Sequence, residues 1–119
     1  FRGSNYACLT EVFAKGGKLT VATDDGSIGF RGNAVQAFLA DYKNISPDLI
    51  ISCGPPVMLR SLKAALKENG IDVKCLVSLE ERMGCGIGAC LVWVCKKAAG
   101  HNARVCKDGP VFDINTVEL

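Results

Sequence analysis

Residues 48–79 read DLIISCGPPVMLRSLKAALKENGIDVKCLVSL, and their hydrophobic rhythm changes twice. DLIIS, residues 48–52, is a nearly continuous apolar run of strand length, the pattern of a parallel strand covered on both faces. Two prolines open the next segment; proline is tolerated in the first helical turn, where its missing N–H has no intrahelical acceptor to lose. Met58, Leu62, Ala65 and Leu66 then fall on one face at helical spacing, and Asn69-Gly70 supplies the stop. From residue 71 the period becomes two: Ile71, Val73, Cys75, Val77 and Leu79 alternate with other residues. Strand, helix and strand in this order predict a crossover unit in a parallel sheet.

Working towards the N-terminus, the alternation continues. Asn33 is placed to cap a helix whose apolar face is Val35, Phe38, Leu39 and Tyr42. KLTVATD, residues 18–24, reads as a strand, and SNYACLTEVFAK, residues 4–15, as a helix with Ser4 as its cap and Gly16-Gly17 as its stop. The fold class is therefore α/β, with part of a doubly wound parallel sheet over residues 1–79. TDDGS follows a strand, where an open α/β sheet carries a nucleotide-binding turn; the same residues also suit a plain polar turn.

Towards the C-terminus the composition shifts. Residues 80–119 form a second region, a small irregular module rich in glycine and cysteine. Four of the seven cysteines crowd into 22 residues, from Cys85 to Cys106. A disulfide scaffold would spread them more evenly, so the chain reads as intracellular with metal-binding thiols. Cys85 and Cys90 are four residues apart, the first step of the C-x4-C-x2-C plant-type 2Fe–2S spacing. The third position is Trp93, whose indole N–H only donates. Cys95 follows two residues later, on the same side of an extended chain, and Cys106 is the distal thiol. The candidate ligands are Cys85, Cys90, Cys106 and Cys95: with Trp93 at the third position, either Cys95 takes that role or the cluster is absent or labile. Zinc is the rival metal, but no C-x2-C pair is present. A Rieske-type site needs two histidines, and His101 is alone. Asp108-Gly109, flanked by apolar residues, predicts a hairpin closed near KDGP.

The bulk numbers restrict the partners. A net charge of +2 is too small to argue for nucleic acid or an anionic membrane, and no apolar run approaches the length needed to cross a bilayer. The first residues lack the pattern of a signal peptide.

SLEERMGCGIGAC followed by RVCKDGPVFD, with TDDGSIGFRG and CGPPVML upstream, closely resembles the C-terminal part of the electron-transfer subunit of dihydroorotate dehydrogenase B, within the ferredoxin-reductase superfamily. The resemblance covers nearly the whole chain. It implies a cytoplasmic oxidoreductase subunit of pyrimidine biosynthesis that uses FAD, NAD and a 2Fe–2S cluster, in a hetero-oligomer with an FMN-containing catalytic subunit that oxidises dihydroorotate. It implies that residues 1–79 are part of the NAD-binding domain, the flavin barrel and first strand lying outside this sequence. Asp24, Asp25, Gly26 and Ser27 then lie near the adenosine half of NAD, with a carboxylate accepting from ribose hydroxyls. Cys53, Gly54, Pro55 and Met58 lie beside the nicotinamide, and Glu80, Arg82 and Met83 towards the flavin. Cys85, Cys90 and Cys106 fall on family ligand positions, and the departure is Trp93. The alternatives are a related ferredoxin reductase or a sulfide dehydrogenase small subunit, whose first ligand is commonly Asp; a zinc-binding module without catalysis; and a chain with no cofactor.

Overall fold

A computed structural model describes residues 1–80 and 82–119 as two compact units, Phe1–Ser46 and Pro47–Leu119. Residue 81, inside the cysteine-rich region, lies outside the described residues. The architecture is mixed α/β with small sheets.

In the first unit, a 3-10 turn at Ser4–Tyr6 precedes α1 (Thr10–Gly16), a parallel pair β1 (Ala22–Thr23) and β2 (Phe30–Arg31), and α2 (Ala34–Ile45). The single helix expected over residues 4–15 is broken. Leu9 takes a left-handed conformation, φ 56°, just before α1, and α1 buries none of its side chains. With Leu9, Val12 and Phe13 each 63% exposed, no packing holds the longer helix together. The strand expected over 18–24 shortens to two residues. Asn33 caps α2 as the sequence requires: its side chain accepts from the Gln36 amide at 2.9 Å, and the Gln36 side chain accepts from the Asn33 amide at 3.0 Å. This reciprocal box satisfies two amides that otherwise lack partners. Asn33→Ala is expected to cost about 1 kcal/mol of stability, read from the urea midpoint of this unit; an unchanged midpoint would show that the cap contributes nothing.

The second unit carries the crossover. β3 (Leu49–Gly54) and β4 (Lys74–Leu79) pair in parallel, with α3 (Pro56–Glu68) between them in sequence and packed on β3. Ile50 stands opposite Cys75 and Gly54 opposite Leu79. Cys75, Val77 and Leu79 are buried, as the alternation predicts, together with Leu59, Leu62, Ala65 and Leu66 of α3. Each such apolar side chain contributes roughly 1.5–3 kcal/mol on full burial. α3 ends in a Schellman arrangement: Gly70, φ 63°, donates to Lys67 and Ile71 donates to Leu66.

β3 differs from its reading in one respect. Ile50 is buried, but Ile51 on the opposite face is 71% exposed, so its apolar run is covered on one face only. After β4 the chain forms the antiparallel hairpin β5 (Val94–Lys96) and β6 (Asn102–Arg104), the one-turn helix α4 (Val105–Asp108), and β7 (Val111–Asp113). β7 returns to pair antiparallel with β4, making a mixed three-stranded sheet in the order β3-β4-β7. The hairpin closes through Lys97–His101, where Lys97 donates to the His101 carbonyl, and not at KDGP. Asp108 is engaged otherwise: its carboxylate accepts from the Arg104 amide at 2.8 Å, tying the end of α4 back to the residue before it.

Candidate metal centre and nucleotide motifs

Two motifs lie in the second unit. Cys53 and Gly54 end β3, and Pro55 and Pro56 start α3. Because β3 and β4 run parallel with Gly54 beside Leu79, their C-terminal ends emerge together, the place where open α/β sheets present ligand-binding groups. Here the Cys53 thiol donates to Glu80 Oε1 at 3.0 Å. The Glu80 carboxylate, by accepting that bond, pushes the thiol above its ordinary range. Glu80 is a contact that sequence pattern did not show, since only the strand register joins residues 53 and 80. Met58 covers Gly54, where a Cβ would fall 2.6 Å from the methionine methyl. Pro56, Leu79 and Glu80 line a cavity of about 360 Å³ together with Trp93, Cys95, Val105 and the C-terminal residues Glu118 and Leu119.

The cysteine loop runs from Gly84 to Cys90 with no helix or strand. Gly86 and Gly88 have φ of 75° and 82°, backbone that glycine adopts without strain and that turns the chain back on itself. The turn brings Cys85 and Cys90 together: Cys85 Sγ accepts from the amides of Ala89 at 3.2 Å and Cys90 at 3.4 Å, and Cys90 Sγ accepts from the amide of Cys85 at 3.4 Å. The Cys90 amide, with that of Ile87 and the Cys90 thiol behind it, pulls the Cys85 thiol down to about 6. Arg104 donates to the Gly88 carbonyl at 3.3 Å and ties the loop to the start of α4, which carries Cys106.

Amides aimed at two cysteine sulfurs suit an iron–sulfur site, where such donors stabilise negative sulfur and tune the potential. The fit stops at residue 93. Trp93 lies just ahead of β5, and its Nε1–H is buried with no hydrogen-bond partner among the described residues. Cys95 is in β5 opposite Ala103, and burial raises its thiol. Among the described residues, no three Cys, His, Asp or Glu side chains gather as a metal ion would require. All seven cysteines are free thiols. In metal-free protein, alkylation of Cys85 is expected to titrate near pH 6, because the thiolate is the nucleophile. The rate should fall as pH drops through that value, while Cys53, Cys75 and Cys95, all shifted upward, react only at higher pH. Peptide mapping of labelled protein against pH checks this; one common midpoint for all four would contradict it.

The nucleotide turn is in the first unit. Asp24 and Asp25 are exposed beyond β1. Asp25 Oδ1 accepts from the Ser27 amide at 2.9 Å and the Ser27 hydroxyl at 2.6 Å, and these bonds, the hydroxyl's first, hold its carboxyl below the usual range. Ser27 Oγ in turn accepts from the Ser4 amide at 2.7 Å. Gly26 turns the chain at φ 71°. Among the described residues nothing hydrogen-bonds to the Asp24 carboxylate, whereas Asp25 Oδ1 is taken up by Ser27.

An α/β protein with a cysteine segment of iron–sulfur type is the class these features define. Residues 80–118 are matched by the family model of the iron–sulfur cluster binding domain of dihydroorotate dehydrogenase B. Over its whole length the chain is 43% identical to proteins named dihydroorotate dehydrogenase B (NAD(+)), electron transfer subunit, from Bacillus cereus strain AH187 and Bacillus anthracis strain CDC 684 / NRRL 3495. It covers 45% of each, so it spans about half the length of the curated relatives it matches. The structure also matches that of an NADH-dependent reduced ferredoxin–NADP oxidoreductase, described for flavin-based electron bifurcation, with a TM-score of 0.77, 26% identity, and coverage of 98% of this chain and 41% of that one. The resemblance read from the motifs, to the C-terminal part of the electron-transfer subunit of dihydroorotate dehydrogenase B, thus runs along the entire chain.

Proposed function

We propose that this sequence is the C-terminal part of an electron-transfer subunit that carries electrons between NAD(H) and the FMN of a dihydroorotate-oxidising catalytic subunit, in cytoplasmic pyrimidine biosynthesis. Residues 1–79 serve as part of a doubly wound NAD-binding domain, and residues 80–119 as the cysteine module. The observation that carries the reading is the Cys85–Cys90 loop, with backbone amides on both sulfurs, inside the segment matched by the iron–sulfur family. When bound, FAD and a 2Fe–2S cluster supply the exchange between a hydride pair and single electrons.

The chain's own residues position and tune. Asp24 accepts from the adenosine ribose, and its charge repels the 2′-phosphate of NADP. Asp25, Gly26 and Ser27 shape the turn that holds it. Gly54, Pro55 and Met58 form the floor beside the nicotinamide, and Cys53 with Glu80 presents a thiol and a carboxylate to that side. Cys85, Cys90 and Cys106 would hold iron; Trp93 at the remaining family position cannot ligate, and Cys95 is the one other thiol of the module.

The test uses the complete protein, mixed with an FMN-containing dihydroorotate-oxidising partner. Expected are co-elution and dihydroorotate-dependent reduction of NAD⁺ that needs both proteins. Failure to associate and to reduce NAD⁺ with flavins loaded would refute the reading. Reduction of ferredoxin instead of the partner would support the second reading, a ferredoxin reductase, which the structural likeness favours. A colourless protein with bound zinc would support the zinc module.

A further inference from the structure

We infer that this chain supplies three thiolates to its iron site, Cys85, Cys90 and Cys106, and leaves the fourth coordination place open, because position 93 carries a donor-only indole and Cys95 is fixed in a β-ladder. The inference rests on the iron–sulfur reading above and concerns only which residues of this chain complete the site.

The case for an open place has three parts. First, the C-x4-C-x2-C pattern needs its third thiolate at residue 93, within reach of the loop that ends at Cys90. The side chain there is an indole, which has no lone pair to give iron. Its Nε1–H is buried and finds no acceptor among the described residues; a residue recruited for structural bonding would have one.

Second, Cys95 lies two residues further on, about 6–7 Å along an extended chain. To act as the third ligand it would have to move back by that distance. The backbone around it is bonded on both sides. On one side, Val94, Cys95 and Lys96 are in register with Arg104, Ala103 and Asn102. The Val105 amide donates to the Trp93 carbonyl at 2.9 Å, and the Lys97 amide to the His101 carbonyl at 2.9 Å. On the other side, Glu118 donates to the Lys96 carbonyl at 2.9 Å, Ala98 donates to the Thr116 carbonyl at 3.0 Å, and Lys97 bridges to Val117, which is fully buried. A two-residue slide would break this whole set together. A one-residue slide would turn Cys95 to the opposite face.

Third, the loop itself is complete without Cys95. Cys85 and Cys90 are joined by two amide–sulfur bonds, the Ala89 amide adds a third to Cys85, and Arg104 fastens Gly88 to the start of α4, which carries Cys106. Among the described residues no third ligating side chain, Cys106 included, gathers with the pair, so Cys106, carried by α4, would join it only on metal binding.

The test is reconstitution of the full-length protein with iron and sulfide, followed by analysis of iron, acid-labile sulfide and visible absorption during exposure to a chelator. Expected for the sequence as it stands is substoichiometric iron that is lost quickly. Trp93→Cys should raise iron and sulfide towards about two each per chain, the content of this cluster type, and slow the loss at least about tenfold, while Trp93→Ala and Cys95→Ser should leave both quantities where they were. Stable full occupancy without substitution would overturn the inference: unchanged by Cys95→Ser, it would show another ligand, and abolished by it, it would make Cys95 the ligand. A rise in Trp93→Ala equal to that in Trp93→Cys would also overturn it, since bulk and not a missing thiolate would then be the cause. No iron in any variant, with Cys85→Ser indistinguishable from the rest, would sink the iron–sulfur reading itself and the inference with it. Cys95→Ser leaves residue 93 intact, so the test stands even where Trp93→Cys fails to fold.

Discussion

Asp24→Ser in the complete protein is expected to weaken NADH binding about tenfold or more and to narrow the preference over NADPH. A hydrogen bond to a charged group is worth about 1.5–3 kcal/mol, which sets that scale. The expectation separates two adjacent acids that sequence alone leaves equivalent. Among the described residues neither oxygen of Asp24 accepts a hydrogen bond, whereas Asp25 Oδ1 is bonded twice to Ser27. Asp25→Ser should therefore loosen the turn and weaken both nucleotides alike, leaving their ratio unchanged. The pH dependence differs in the same sense. The folded pKa of Asp25 is lowered, so its contribution to the turn is present above the ordinary carboxylate range and lost as pH falls through the depressed value. Titrating NADH and NADPH by fluorescence against both variants decides the matter. A ratio that moves with Asp25 and not with Asp24 would reverse the assignment.

The second unit was readable where its residues obey a period, and obscure where distant segments meet. Cys75, Val77 and Leu79 alternate because one face of β4 is buried, and that signal is local. On α3 the helical spacing places Leu62, Ala65 and Leu66 correctly in the core, but their buried partner in the first turn is Leu59, while Met58 is half-buried and drawn over Gly54, where the missing Cβ leaves room. The Cys53–Glu80 bond could not be read, since it depends on the parallel register between β3 and β4. The hairpin was misplaced for a different reason. Asp108-Gly109 is a strong local turn signal, but the Asp108 side chain is bonded back to the Arg104 amide, and closure passes to residues 97–101, where Gly100 takes φ 82°. In the first unit, the apolar spacing of Leu9, Val12 and Phe13 suggested a longer helix than a segment without burial sustains. The cysteine spacing gave the Cys85–Cys90 pair and the anomaly at Trp93; the ladder that holds Cys95 needed the fold.

Leu59→Ala is expected to cost about 3 kcal/mol, among the larger single losses available in this chain. Leu59 has no exposed surface, so truncation forfeits the transfer energy of its atoms and leaves a cavity that the neighbouring strand cannot fully close. In a unit of this size such a loss lowers the melting temperature by roughly 12 °C or more. The effect reaches the motif as well, because α3 begins directly after Cys53-Gly54 and its first turn lays Met58 over Gly54. Cys53 should then lose its fixed bond to Glu80, and its alkylation at neutral pH should accelerate as the thiol returns towards its ordinary range. Ile51→Ala supplies the comparison. It removes an apolar side chain from the other face of β3, 71% exposed in this chain, and should change stability by no more than about 0.5 kcal/mol. Thermal melts of both variants, made first in this chain and then in the full-length protein, separate two causes of the apolar run at 49–51. Equal small costs for Ile51→Ala in both contexts would mark that face as solvent-facing. A small cost here and a Leu59-sized cost in the longer protein would mean that a segment beyond this sequence covers it, which is the two-sided burial that the continuous run DLIIS leads one to expect.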